Sequence, residues 1–385
     1  MPTQPIDVVL ATTYRCNARC IMCNIWQNPS ENDLTPEEYR FLPSSLRYVN
    51  ISGGEPFLRD DIPEIVAVVK ERAPNAQIII SSNGFMPGKI EKLMKEVLKV
   101  DPTVGVGISI DGKGETHNHV RGIPKGFDKC MDTLTRLKGL GMTNLRLAFT
   151  VVDDNVEELP LVYKLTKELG VEFSMAVAQN SSHYFKTDQN NFSGIDLLKK
   201  NLGPMVEDLL KTSTPKNWLR AFFAHGVFRY AAGEGRPFVC NAASDFFFVD
   251  PGGDIYPCNI MERVLGNVRK DSFENIWASH QAEKIRGEVR ACELRCWMVC
   301  TARTDMKRHA GQVGSWIMKN KTAAHLGNFE LELPSGTGEQ PKGGNGKPQP
   351  KGDNGADADK TKGSDDGLHV LNDAPPPNKP SQPSA

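Results

Sequence analysis

Long hydrophobic runs are missing from this sequence of 385 residues. None approaches the roughly 20 apolar residues that a membrane-spanning helix needs. The opening stretch, MPTQPIDVVLATTYR, has no basic start and no long apolar segment, so it does not read as a secretory signal. An excess of one charge is also missing. Lys and Arg number 46, Asp and Glu 47, for a formal net charge of -1. No global basic field draws the chain to nucleic acid or to an anionic membrane. These absences lead us to expect a cytoplasmic protein with neither nucleic acid nor membrane among its partners. Cysteine, by contrast, is plentiful, at nine residues. In a reducing compartment clustered cysteines more often bind metal or do redox chemistry than pair as disulfides.

From residue 6 to about 178 the chain alternates between short β-rich runs and amphipathic helical stretches. Strands are expected at 6–12, 46–52, 76–82, 103–110, 145–152 and 171–177. After the second, Ile62, Ile65, Val66 and Val69 recur at helical spacing. Strands alternating with helices indicate an α/β fold with a parallel sheet. Right-handed crossovers then bring every strand's C-terminal end to one rim. Residues 192–235 read as helical, with Gly203-Pro204 expected to kink or split the stripe. From 240 to about 303 come short β pieces, turns and five cysteines. From about 331 the chain is rich in Pro, Gly, Lys, Asp and Asn and nearly lacks aromatics, which reads as a disordered tail.

The first cysteines, Cys16, Cys20 and Cys23, are spaced CxxxCxxC and follow the first strand. A structural zinc site takes four protein ligands, and the nearest histidines, His117 and His119, are remote in sequence. A four-iron, four-sulfur cluster held by three thiolates keeps one iron open for another ligand. A structural metal knuckle is the plainer alternative. Here the sequence resembles the radical S-adenosylmethionine (radical SAM) superfamily, whose hallmark is this spacing after the first barrel strand. Met22 stands where the family usually has an aromatic residue, and a thioether packs beside an adenine nearly as well. The resemblance covers roughly residues 6 to 180 and implies a partial (β/α)6 TIM-like barrel.

Further motifs extend the resemblance along the same rim. Gly53-Gly54-Glu55-Pro56 ends the second strand. Its two glycines let backbone carbonyls approach a ligand closely, and the family's equivalent holds the amino group of SAM, with Glu55 able to accept from an ammonium. SSNG (81–84) ends the third strand, where the resemblance assigns Ser81 and Asn83 to SAM. ISIDGKGETHNHVRG (108–122) ends the fourth. By resemblance Ser109 and Arg121 lie near SAM, and a guanidinium suits its carboxylate. His117 reads as structural, and Cys130, inside a predicted helix, as core packing.

Cys240, Cys258, Cys292, Cys296 and Cys300 form the second group. Cys240, Gly253 and Cys258 match the start of the SPASM/twitch extension, in which a β-hairpin joins two cysteines. FFFVDPGGDIYPC reads as that hairpin, with Pro-Gly-Gly as its turn. The last three cysteines fall on consecutive turns if locally helical. The resemblance implies one auxiliary [4Fe-4S] cluster on four of these five thiols, Cys240 and Cys258 among them. A zinc ribbon is the alternative. The expected organisation is a barrel over 1–190, a helical connector over 191–235, a cysteine-rich SPASM/twitch-like domain over 236–330 and the tail over 331–385.

The activity the resemblance implies is reductive cleavage of SAM to a 5′-deoxyadenosyl radical, followed by hydrogen-atom abstraction from substrate. A reductant such as flavodoxin or ferredoxin supplies the electron. Only fifteen residues precede Cys16, which leans the expectation toward a small molecule, a sugar or cyclitol alcohol, oxidised by two electrons with the auxiliary cluster as acceptor. A maturase acting on a peptide or protein is the alternative. From another class come a non-catalytic iron–sulfur electron carrier and a zinc-binding interaction protein, neither of which explains Gly53, Gly54, Glu55, Asn83 and Arg121 along one rim. His183 and Tyr184, after the sixth strand, read as ordinary loop residues.

Overall fold

The computed structural model describes residues 3–294 and 296–332. Of the tail expected from 331, residues 333–385 lie outside the described residues. Six parallel strands, β1 (Asp7–Ala11), β2 (Tyr48–Ser52), β3 (Gln77–Ser82), β4 (Gly105–Ser109), β5 (Leu145–Val151) and β6 (Glu172–Val177), lie side by side in chain order. Helices Ile62–Arg72, Pro87–Val100, Gly126–Gly139 and Leu159–Leu169 cross between them. Ile62, Ile65, Val66 and Val69 are all buried, as their spacing requires. The helices at Ile62–Arg72, Pro87–Val100 and Leu159–Leu169 each carry a proline in their first turn, where its missing N–H costs nothing. Gly170 ends the last of them in the left-handed conformation, φ 61°. This is the sequential parallel arrangement expected of a (β/α)6 partial barrel.

The sheet does not stop at β1. The hairpin of the cysteine-rich region, β7 (Phe246–Val249) and β8 (Asp254–Tyr256), joins it, with β7 parallel to β1 in the register Asp7↔Phe246 to Leu10↔Val249. A short β9 (Gly266–Asn267) completes nine strands in the order β6-β5-β4-β3-β2-β1-β7-β8-β9. Both β1 and β7 are buried at every position, because each is covered on both faces. One continuous apolar core therefore runs from the barrel into the cysteine-rich region. The strand that leads to Cys16 is hydrogen-bonded to the first strand of the hairpin whose second strand leads to Cys258.

The connector departs from expectation. Helix Ile195–Lys211 runs unbroken through Pro204, and the break falls at 212–214, before helix Pro215–Ala231. Pro204 removes one backbone hydrogen bond, but the stripe of Leu198, Leu202, Met205, Val206 and Leu209 is buried along the whole helix. That packing outweighs the lost bond. Among the described residues no helix is long and apolar enough to cross a membrane.

Candidate functional site

Cys16, Cys20 and Cys23 lie on the loop that leaves β1 at the C-terminal rim. Backbone bonds tie this loop to its neighbours: Arg19 N to Arg121 O (3.2 Å), Ile21 N to Val120 O (3.0 Å), and Asn24 N to Phe185 O (2.8 Å). From the other side, Gly54 N donates to Thr13 O and Glu55 N to Arg15 O, both at 2.8 Å. The two glycines make room for this loop. A Cβ on Gly54 stands 2.2 Å from the Arg15 carbonyl oxygen, and one on Gly53 stands 2.3 Å from that of Thr13, at φ +130°. Sequence reasoning expected the glycines to admit a ligand; what they visibly admit is the cysteine loop.

Two of the residues expected near SAM have partners within the chain. Glu55 is fully buried, and its carboxylate accepts from Phe57 N (3.1 Å), Ser82 Oγ (2.9 Å) and Asn83 N (2.7 Å). It locks the end of β2 to the end of β3. Arg121 Nε lies 2.5 Å from Asp111 Oδ2, a close ion pair without aligned hydrogen-bond geometry. Its Nη1 faces Cys20 Sγ at 3.8 Å. Its charge is matched by the buried carboxylate of Asp111.

The other rim residues divide. Ser81 Oγ donates to Asn50 Oδ1 (2.9 Å), and Asn83 Nδ2 donates to Asn17 Oδ1 (2.7 Å), which pins β3 to the cysteine loop. Ser109, at the end of β4, has no side-chain hydrogen bond among the described residues. His117 is buried and structural: its Nδ1 accepts from Asp111 N (3.1 Å) and its Nε2 meets Cys130 Sγ (3.7 Å). Burial pushes its pKa down to about 3. Cys130 packs there against the carbonyl of Asn83 at 3.0 Å.

Burial pushes Cys16 up to about 11 and Cys23 up to about 12, and it raises Cys20, against the pull of Arg121. Buried thiols of this kind become thiolates when a metal takes them. Among the described residues no three His, Cys, Asp or Glu side chains are placed to hold a single metal ion. Three thiols on one loop supply three corners of a multi-iron cube, one fewer than the four protein ligands of a structural zinc. Beside Cys20, Met22, Val120 and Ala178 form a small apolar cluster against which Val152 packs. Met22, Val152, Ala178 and Asn190 border a pocket of about 150 Å³. Sequence reasoning found only Met22. The others follow strands or lie between helices, and their position just past β5 and β6 was the available signal.

In the second group, Cys240, Cys258, Cys292 and Cys296 stand close enough for their charges to act on one another. Burial is the main cause that raises Cys240, Cys258 and Cys296, and Arg236 opposes it at Cys240 and Cys296. Arg236 donates to Cys296 O (3.2 Å) and is ion-paired with Asp305. Cys292 and Cys296 precede helix Val299–Arg308 and are not helical. Only Cys300 is in that helix. It is buried, and the charges of Asp7, Arg303 and Cys258 act on it.

The profile of the radical SAM superfamily matches residues 10–165, and that of the SPASM iron–sulfur cluster-binding domain matches residues 240–301. The chain belongs to the radical SAM superfamily. It is a radical SAM enzyme with a C-terminal SPASM domain, so its cofactors are SAM, a [4Fe-4S] cluster and auxiliary iron–sulfur. It is similar to the AdoMet-dependent heme synthase of Methanosarcina barkeri, at 24% identity over 77% of this chain and 90% of that protein. It also resembles the mycofactocin maturase of Mycolicibacterium smegmatis, at 28% identity over 71% and 70%. Among solved structures, Streptococcus suis SuiB bound to precursor peptide SuiA shares the fold, at TM-score 0.56 and 14% identity over 78% and 71%.

In this radical SAM enzyme the loop after β6 bridges the two cysteine groups. Tyr184 Oη donates to Gly53 O (3.2 Å), Asn28 Nδ2 to Tyr184 O (3.0 Å) and Asn190 Nδ2 to Met22 O (3.0 Å). On its other side Ser181 Oγ donates to Asn259 O (2.9 Å), and the His183 ring stacks on Tyr256 at 4.7 Å. Since Ser181 gives its proton to Asn259, the network assigns the His183 proton to Nδ1, which donates to Ser181 Oγ (3.1 Å). The lone pair of His183 Nε2 and the Oδ1 of Asn259 are then buried without a partner among the described residues. Burial pushes His183 down to about 4, so its ring is neutral.

Proposed function

We propose that this radical SAM enzyme matures a peptide, by a two-electron oxidation begun at one carbon–hydrogen bond. The supporting observation is that the mycofactocin maturase aligns across both the barrel and the SPASM domain. That likeness favours the maturase alternative over the small-molecule alcohol. When bound and reduced, the first cluster supplies one electron that splits SAM into methionine and a 5′-deoxyadenosyl radical able to take a hydrogen atom from substrate.

Cys16, Cys20 and Cys23 hold that cluster. Gly53, Gly54 and Glu55 set the loop in place, Ser81 and Asn83 brace it through β3, and Arg121 offsets the thiolate charge. Met22, Val152 and Ala178 form apolar walls for the adenine, which keeps water off. Ser109 offers a free hydroxyl to the rest of SAM. In the SPASM domain Cys240, Cys258, Cys292 and Cys296 hold one auxiliary cluster, and Cys300 is the spare. His183 Nε2 and Asn259 Oδ1, two bare acceptors at the seam, hold donor groups of the substrate.

The heme synthase alignment, over 90% of that protein, favours a second reading in which the substrate is a porphyrin. One experiment separates the two. Anaerobically reconstituted enzyme receives dithionite, SAM and either a deuterated peptide fraction or a deuterated iron porphyrin. Deuterium in 5′-deoxyadenosine from the peptide fraction supports maturation, and label from the porphyrin alone replaces it with the second reading. Absence of any 5′-deoxyadenosine, with or without substrate, sinks both.

A further inference from the structure

The two faces of the parallel sheet differ. On the face toward the crossover helices, Val49, Ile78, Val106, Leu147 and Met175 are bulky and buried. On the inner face the register gathers Asn50, Ser81, Gly107, Ala148, Ser174 and Ala176. A closed barrel fills such positions with large branched side chains. Here they are small or polar, and all but Gly107 are half-buried, so the inner face is not packed shut.

Toward the N-terminal ends of the strands this face turns cationic. Arg146 on β5 lays its stem across β4, where a Cβ on Gly107 stands 3.3 Å from Arg146 Cγ. Its Nη2 donates to Asn144 Oδ1 (3.1 Å) and lies 3.7 Å from Glu172 Oε2. Neither its Nε nor its Nη1 has a hydrogen bond among the described residues. The side chain keeps 27% exposure, so a ligand can reach it. Glu172 is already shared, with Arg220 Nη2 2.6 Å from its Oε2 and Lys216 ion-paired to it. From helix Val299–Arg308, Arg303 lies 4.2 Å over the Tyr48 ring, and Lys307 Nζ donates to Tyr48 Oη (2.7 Å). Asp7 Oδ2 is 3.6 Å from Arg303 Nε, and burial pushes Asp7 up to about 7. Burial also lowers the pKa of Arg146; Glu172 opposes that, and the charges of Arg220 and Arg303 lower it further. Arg146, Lys216, Arg220, Arg303 and Lys307 thus share only Glu172 and Asp7. Buried charge is normally paired, and this floor is short of carboxylate.

We propose that the floor of the inner face binds a carboxylate of the peptide substrate, received by the Arg146 guanidinium in the field of Arg220 and Arg303. This rests on the reading of the chain as a peptide maturase. Thr150, near the rim that carries the cysteine loop, is four residues farther along β5, about 13 Å at about 3.3 Å per residue. A peptide anchored at the floor reaches that rim in a few extended residues.

The test uses N-acetyl-triglycine, which ends in a free carboxylate, and N-acetyl-Gly-Glu-Gly-amide, which carries one on a side chain. Their neutral counterparts are N-acetyl-triglycine amide and N-acetyl-Gly-Gln-Gly-amide. Binding of each to the anaerobic holoenzyme with SAM is measured by NMR titration. At least one carboxylate probe is expected to bind about tenfold more tightly than its neutral counterpart, and which one does so tells a chain terminus from an acidic side chain. Arg146→Met is expected to abolish that preference. Glu172→Gln, which removes the competing carboxylate, is expected to raise affinity for the preferred probe about threefold, a gain that misfolding cannot imitate. The proposal is overturned if the wild type shows no preference, if Arg146→Met retains it, or if Glu172→Gln does not strengthen it. Label in 5′-deoxyadenosine from iron porphyrin alone overturns the proposed function instead, and the binding measurement still decides whether the floor takes a carboxylate.

Discussion

Replacing Gly54 with alanine adds a single carbon, and the structure fixes where it goes. The new Cβ falls 2.2 Å from the oxygen and 2.7 Å from the carbon of the Arg15 carbonyl, and 2.7 Å from the Tyr14 carbonyl oxygen. All three are backbone atoms, so no side chain can rotate aside. Gly54 is not among the positive-φ glycines, so the contact alone is tested, free of dihedral strain. The cysteine loop has to retreat by roughly 1 Å to restore ordinary separations, an overpacking cost of about 1–3 kcal/mol. Retreat also breaks the bonds from Gly54 N to Thr13 O and Glu55 N to Arg15 O, each worth about 0.5–1.5 kcal/mol. The sum is about 2–6 kcal/mol, and it falls on the loop that carries Cys16. We expect lower stability in anaerobic urea unfolding and loss of iron from the first centre with the auxiliary iron retained. Gly88→Ala is the control: nothing lies within 4 Å of its Cβ, and alanine in a helix is expected to be neutral or to add up to about 1 kcal/mol. Should Gly54→Ala match the wild type in both stability and iron, the packing of the glycines against the cysteine loop is wrong.

Removing Arg121 leaves Asp111 buried and unpaired, so Arg121→Met is expected to cost about 3–5 kcal/mol. Adding Asp111→Asn recovers part of that loss in a double-mutant cycle, and strict additivity refutes the pairing. Burial lowers the pKa of His117 from its ordinary 6.5 to about 3 in the folded chain. The folded state therefore binds fewer protons than the unfolded chain in that window. The stability it contributes is present above 6.5 and is lost as pH falls toward 3, by about 1.4 kcal/mol per pH unit. His117→Gln, followed by urea unfolding through the same window, is expected to lose one proton's worth of slope; an unchanged slope rejects a buried neutral imidazole. Cys300→Ala is expected to keep the auxiliary iron, whereas Cys296→Ala loses it, as iron and sulfide analysis of the purified chains will show.

The sequence alone determined what is written in local order. Alternating β-rich and amphipathic runs gave six strands and their crossovers, because each element's period is set by its own neighbours in the chain. The spacing of Cys16, Cys20 and Cys23 and the position of Gly53-Gly54 after β2 were likewise readable from one dimension. Tertiary structure decided the partners. Glu55 and Arg121 each have several possible counterparts in sequence, and burial selected Ser82, Asn83 and Asp111 for them. The hairpin beginning at Phe246 could have formed its own sheet; its four consecutive buried residues found β1 instead. The apolar pocket at Met22, Val152 and Ala178 exists only where three distant segments converge. Pairing across such distances depends on which surfaces the fold removes from water together, and no local pattern encodes that.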